Sequence, residues 1–209
     1  MNIDYIKNKI NSVEPKPIDE DFRFSVLVPL VEKDGELHLI YEVRSKTIRQ
    51  PGEVSFPGGK IEDFESPPEA AMRETWEELG IPEENIEILS ELDYATSKSG
   101  SFVYSFLGYI KKLDVSQIPY SKDEVEDLFF VPLSYFLSNE PEKYYMNYLP
   151  QADKDFPYHM VNDGINYNWG NIRYPVYFYK YEDKIIWGLT AKITYSFVNK
   201  LKSDNIKGK

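Results

Sequence analysis

Residues 22–31 and 36–44 are two apolar-rich runs, and the Lys33-Asp34-Gly35 step between them carries the turn chemistry of a hairpin, so a pair of adjacent strands is expected there. A second pair is expected over 86–93 and 102–110, joined across Ser97-Lys98-Ser99-Gly100. Between these pairs the period changes from strand to helix. Ser66, Pro67, Pro68 and Glu69 read as an N-cap, prolines in the first turn and a capping box, while Gly80 and Pro82 end the helix so begun. Residues 3–10 suit a short amphipathic helix, followed by a proline-containing linker over 14–20; residues 132–137 suit another short helix, and 187–201 a terminal one.

On the central helix, at about 100° per residue, Met72, Thr75, Trp76 and Leu79 form one stripe and are expected to pack inward. Glu74, Glu77 and Glu78 fall on the opposite side, with the small Ala70 and Ala71 leaving room for a ligand above them. Three carboxylates in the last two turns repel one another and sit at the end of the helix that already carries partial negative charge. Arg73, four residues before Glu77, is the helical cation placed to steady one of the three. The compensating ligand such a cluster calls for is a hard divalent cation such as Mg²⁺. The bland alternative is a solvated acidic face.

Upstream stand Phe56-Pro57-Gly58-Gly59-Lys60 and Glu65, and adjacent glycines let backbone approach a ligand closely. Gly59, Glu65 and the run Arg73-Glu74-Thr75-Trp76-Glu77-Glu78-Leu79-Gly80-Ile81 together resemble the Nudix box, G-x5-E-x7-R-E-u-x-E-E-x-G-u, with Thr75 a soft match at its first apolar slot. The resemblance implies an α+β fold, an α/β/α sandwich about a mixed β-sheet, with an N-terminal helix and linker over 1–20 and a Nudix hydrolase domain over 21–205. It also implies a strand, a loop and this helix holding Mg²⁺ (or Mn²⁺) against a diphosphate that water cuts. By carry-over, Glu74, Glu77 and Glu78 are metal ligands, Arg73 and Glu65 orient the box, and Gly58 and Gly59 offer carbonyl contacts. The general base is either a box glutamate or a carboxylate of a later loop, for which Glu124 is the candidate.

The segment Arg44-Ser45-Lys46-Thr47-Ile48-Arg49-Gln50-Pro51-Gly52-Glu53-Val54-Ser55-Phe56-Pro57-Gly58-Gly59 resembles the further signature of the coenzyme A pyrophosphatase branch, L-L-T-x-R-S-x3-R-x3-G-x3-F-P-G-G. It departs in two places. Ile40-Tyr41-Glu42 stands where Leu-Leu-Thr is expected, and two residues rather than three separate Arg49 from Gly52, so Arg49 aligns with either of two neighbouring positions. Residues 123–133 and 186–191 also resemble that branch, which extends the likeness over about 22–197. It implies cleavage of coenzyme A to adenosine 3′,5′-bisphosphate and a 4′-phosphopantetheine. ADP-ribose, dinucleotides or nucleoside triphosphates as substrates, and a module that senses a nucleotide without cutting it, stay open.

Charge makes a local basic group necessary for such a substrate. With 24 Lys plus Arg against 35 Asp plus Glu the net charge is −11, a field that repels polyanions. Arg44, Lys46, Arg49 and Lys60 are the cations bunched nearest the acidic helix and are the expected phosphate contacts, against the alternative that they guard a strand edge. The acidic pI near 4.8 argues against general nucleic-acid binding. No cysteine occurs, which excludes disulfides and thiol catalysis. The N-terminal residues lack the apolar stretch of a leader and no run spans a bilayer, so a cytoplasmic protein without membrane partners is expected; a homodimer is one option for its oligomeric state. Residues 140–171, rich in Tyr and Asn, read as either a lid that stacks on substrate or a hairpin that covers the domain. His38 and His159 have no zinc or triad spacing and read as structural.

Overall fold

The computed structural model describes residues 2–13, 23–96, 101–111, 114–115 and 117–203. A first helix, α1 (Ile3–Asn11), precedes strands β1 (Arg23–Lys33), β2 (Glu36–Arg44), β3 (Val54–Ser55) and β4 (Gly58–Lys60). Then come α2 (Pro67–Leu79), β5 (Ile86–Glu91), β6 (Ala95–Thr96), β7 (Phe102–Ile110), β8 (Val125–Pro132) and α3 (Leu133–Ser138). The chain finishes with β9 (Glu142–Tyr148), β10 (Ile172–Tyr181), β11 (Lys184–Trp187) and α4 (Gly188–Lys202). The expected linker over 14–20 and the 97–100 connection lie outside the described residues.

Both expected strand pairs form. β1 and β2 are antiparallel with Leu30 opposite Leu39, and β5 runs antiparallel to β7 with Ile86 opposite Ile110. The sheet is mixed because β1 and β7 are parallel over residues 23–30 and 102–109, while every other pair in it is antiparallel. β8 lies on the outer side of β2, and β9, β10 and β11 make a separate antiparallel sheet.

Alternation along the central strands builds a layer on each face. Leu27, Val31 and Ile40 pack with Ala71 and Leu79 of α2 and with Ile86, Phe106 and Ile110. Their neighbours Val28, Leu30, Leu39 and Tyr41 pack the other way, against Phe136 of α3, Tyr179 and Ile186 of the small sheet, and Ile193, Phe197 and Val198 of α4. The result is the α/β/α arrangement. Each large side chain so enclosed contributes about 1.5–3 kcal/mol by leaving water. The buried Tyr41 hydroxyl is satisfied by Thr194 Oγ1 at 2.9 Å.

Helix α2 keeps the ends its sequence predicts. The Ser66 amide donates to Glu69 Oε2 at 2.8 Å, and Gly80, at φ 63°, closes the last turn by donating to Trp76 O at 2.8 Å. Its orientation differs from the expected stripe. Trp76 is 54% exposed, whereas Ala70 and Ala71 are fully buried and leave no ligand space above them. The cause is that α2 is covered on two sides, by β1 and β7 beneath and by β4 alongside, so the buried arc is broad and takes in Glu78.

The segment over 140–171 resolves in part as a hairpin arm, since β9 pairs with β10 with Tyr148 opposite Ile172. Between them Phe156 and Tyr167 each pack edge to face on Trp169. α1 forms as an amphipathic helix capped by Asn2, with none of its residues buried. Among the described residues no helix is long and apolar enough to cross a membrane.

Candidate active site

The site arises where β1 divides its partners. Residues 24–26 pair with β4, placing Ser25 opposite Gly59 and Val26 opposite Gly58, while residues 30–33 pair with β2. Beyond that fork β2 pairs with β3, Glu42 opposite Ser55. Glu42 and Gly58 thus flank the opening between β2 and β4. Helix α2 is fastened over it at its first residue, where Ser25 Oγ donates to Pro67 O at 2.6 Å.

The glycine pair is required by contact. A Cβ on Gly58, whose φ is 154°, would stand 2.3 Å from Ser25 O and 2.6 Å from Val26 Cα, and one on Gly59 would stand 2.2 Å from Glu74 Oε1. β4 therefore lies flat between β1 and the acidic side of α2. Its Gly58 amide donates to Glu78 Oε2 at 2.8 Å.

Arg73 organises the rest. Its Nε and Nη2 donate to both oxygens of Glu65 at 3.0 and 2.8 Å, its Nη1 to Glu74 Oε1 at 2.9 Å and Glu77 Oε2 at 3.0 Å, and its Nη2 also to Lys60 O at 3.1 Å. Glu65 is fixed in turn by the Glu62 amide at 2.6 Å. Arg73 and Glu65 are thus joined to each other by two bonds. The hydrogen bonds to Arg73 hold the Glu65 carboxyl below its ordinary range, and Glu65 raises Arg73 further still.

The glutamates of α2 have unlike surroundings. Glu77 is exposed, Glu74 is half-buried, and Glu78 is buried. Burial first, and the charge of Glu42 second, push the Glu78 carboxyl up to about 9, against the opposing bond from Gly58. Glu74 is also raised, by burial first, with Arg73 acting the other way. Glu124 adds negative potential to both. Its loop is tied to the site at two points: the Ser45 amide donates to Glu124 O and the Ser121 amide to Glu78 O, each at 2.8 Å.

Glu42 is a buried carboxylate that sequence reasoning did not single out. It is 1% exposed, Ser55 Oγ donates to its Oε1 at 2.7 Å, and its Oε2 has no partner. Burial raises its pKa, opposed by Ser55 and Arg44. A signal for it existed: Glu42 follows Ile40 by two in a central strand, so a carboxylate falls on the core face.

The four basic residues have different surroundings. Arg44 Nε donates to Arg49 O at 3.0 Å and so braces its own loop, and Lys46 pairs with Glu126 at 2.9 Å. Arg49 and Lys60 are exposed. A groove of about 490 Å³ lined by Pro51, Gly52, Phe178 and Trp187 also takes in Val43, and so opens on the face of β2 away from Glu42 and the acidic cluster.

Among the described residues no three Asp, Glu or His side chains stand in ready ligating geometry. Arg73 bonds Glu74 through Oε1 and the Gly58 amide bonds Glu78 through Oε2, so each carboxylate can turn its other oxygen to a cation with those bonds kept. The residues nevertheless fit one in chemistry, since the orphaned buried oxygen of Glu42, the second buried carboxylate of Glu78 and backbone stripped of side chains at Gly59 all offer hard oxygen donors.

Comparison with known proteins identifies the family and the fold. Residues 21–149 match the family model for the NUDIX domain. The chain is 38% identical over 152 residues to the peroxisomal coenzyme A diphosphatase NUDT7 of Mus musculus, covering 69% of this chain and 63% of that protein. It is 31% identical over 175 residues to the mitochondrial coenzyme A diphosphatase NUDT8 of Homo sapiens, covering 81% and 65%. The matches thus span somewhat less than two thirds of these relatives' own length. A MutT/nudix family protein from Enterococcus faecalis shares the fold, with a TM-score of 0.50 at 15% identity, over 97% of this chain and 71% of that one. The match takes in β1 to β9, with the glycine-backed acidic helix and its arginine brace inside it, and the chain belongs to the Nudix family.

Proposed function

We propose that the chain is a Mg²⁺- or Mn²⁺-dependent hydrolase that splits the diphosphate of coenzyme A and its derivatives into adenosine 3′,5′-bisphosphate and a 4′-phosphopantetheine. The observation that carries the chemistry is Glu78, buried on the Gly58 amide beside Glu42 and beside Glu74, which the clamp of Arg73 and Glu65 holds. The coenzyme A diphosphatases among its relatives, and the Arg44 to Gly59 segment, support the choice of substrate.

Glu74, Glu77 and Glu78 would hold the cation, with the Gly58 and Gly59 carbonyls beside them. A bound divalent ion supplies neutralisation of phosphoryl charge and acidification of water. Arg73 orients Glu74 and Glu77 through fixed, charge-assisted bonds. Glu124, on a loop pinned to both Ser45 and the end of α2, accepts the proton of the attacking water. Arg44, Lys46, Arg49 and Lys60 receive the phosphates of the nucleotide half, Lys46 by leaving Glu126. The retained carboxylates weigh against a module that only senses nucleotides, since binding alone does not require them all.

The test is a competition across coenzyme A, dephospho-coenzyme A, ADP-ribose and NADH, with Mg²⁺ or with EDTA, resolved by chromatography. The expected result is metal-dependent release of adenosine 3′,5′-bisphosphate, with coenzyme A preferred over its dephospho form. Cleavage of ADP-ribose or NADH with coenzyme A untouched would reject the substrate.

A further inference from the structure

Glu42 has no part in the Nudix box, yet it is the most enclosed carboxylate of the site. Regular alternation along β2 turns it to the same face as Ile40, which packs in one layer with Ala71 and Leu79 of α2. Glu42 therefore faces α2, next to the turn that carries Glu78. One of its oxygens is fixed by Ser55, three residues ahead of Gly58, and Gly58 fixes Glu78 from the adjoining strand. Its other oxygen, Oε2, is sealed from water and accepts nothing.

A carboxylate oxygen so placed costs several kcal/mol if ionised and unpaired. Apolar replacements abound in the same strand, where Leu39, Ile40 and Tyr41 are all fully buried. Hydrogen bonding leaves that oxygen unsatisfied, since Ser55 meets only Oε1 and no partner meets Oε2. What satisfies an unpartnered oxygen facing a second buried carboxylate is a shared cation.

We infer that Glu42 is a further ligand for the divalent cation, its Oε2 closing the β2 side of a site that Glu78 and Glu74 close from α2. This rests on the metal-dependent reading above and adds to it a ligand from the strand, on the side away from solvent. Arg44 and Glu124 are the charged groups facing Glu42 besides the α2 carboxylates. With Glu42 engaged, the ion sits deep, and Glu77, exposed at the rim, is left as the outermost of the acidic ligands.

The test is Mn²⁺ binding to the full chain, read by electron paramagnetic resonance of the free ion and by the Mn²⁺-induced rise in Tm, with coenzyme A hydrolysis followed in parallel. The variants are Glu42→Gln, which keeps shape and removes charge, and Glu42→Thr, which suits a strand and removes the reach; circular dichroism confirms that each is folded. The expected result is Mn²⁺ affinity reduced about 10-fold or more in both variants, with a smaller Mn²⁺-induced rise in Tm than in the wild type. Wild-type Mn²⁺ affinity in either folded variant overturns the assignment of Glu42 and leaves the hydrolase reading standing. Failure of the wild type itself to bind Mn²⁺ overturns both.

Discussion

Arg73 has five N–H donors, and five acceptors from three elements meet them: two on Glu65, one each on Glu74 and Glu77, and the Lys60 carbonyl. A lysine carries three donors on a flexible stem and cannot reproduce that fork. Arg73→Lys is expected to lower Mg²⁺ affinity or turnover about 10- to 100-fold with little change in Tm, measured by steady-state kinetics against metal concentration. Unaltered kinetics would show that the clamp positions nothing. Glu78 makes a prediction of another kind. In the metal-free protein its proton is held to about pH 9, whereas the unfolded chain releases it near the ordinary value of 4.5. Over that window the native state binds the extra proton, so its stability falls as pH rises and levels off above 9. Glu65 and Glu69 are shifted downward and act below this window, where their stabilisation is lost in acid. Without metal, Tm at pH 5 should exceed Tm at pH 8, and Glu78→Gln should flatten the slope while lowering turnover by at least about 10²-fold. A Tm that climbs between those pH values in the wild type would contradict the burial of an unpaired carboxyl. At this scale the box residues were legible in the sequence from their spacing. Glu42 was marked only as a carboxylate in step with Ile40, because its significance depends on which face of β2 meets α2, and spacing in one strand does not reveal what packs upon it.

The glycines of β4 separate fold from site within one short element. At Gly58 an added Cβ meets the backbone of β1, which cannot step aside, whereas at Gly59 it meets the end of the Glu74 side chain. Gly58→Ala should therefore cost about 1–3 kcal/mol or more in denaturant unfolding. Gly59→Ala should leave stability nearly unchanged and weaken metal binding, since Glu74 must swing off Arg73. Equal destabilisation by both would mean that β4 does not pack as described. Helix α2 was recognisable in extent, because Ser66, Glu69 and Gly80 write its ends into the chain. Its rotation was not, because a helix clasped by a sheet and a neighbouring strand buries more than one stripe, and Trp76 is turned out while Ala70, Ala71 and Glu78 are turned in. The three-stranded sheet was harder to read. β9 is Glu-Lys-Tyr-Tyr-Met-Asn-Tyr, with all but its last residue exposed, so no alternation of apolar and polar positions marks it.

For the whole molecule, the net charge of −11 and a site built from carboxylates set the same requirement, that a cation stand between protein and polyanion. The fold provides for it by opening β1 between two partners and closing the gap with α2, so that acidic side chains from two elements face one another out of water. The parallel pairing of β1 with β7, which brings α2 over the fork, joins residues far apart in the chain, and no local pattern announces it. The mixed character of the sheet came from the family resemblance, not from the periods of the strands. The direct measurement is diffraction at the manganese absorption edge from crystals soaked in Mn²⁺. An anomalous peak within direct ligating distance of the Glu74 and Glu78 carboxylates is the predicted result; a map with no peak there, from crystals of protein that hydrolyses coenzyme A in the same buffer, would contradict the account.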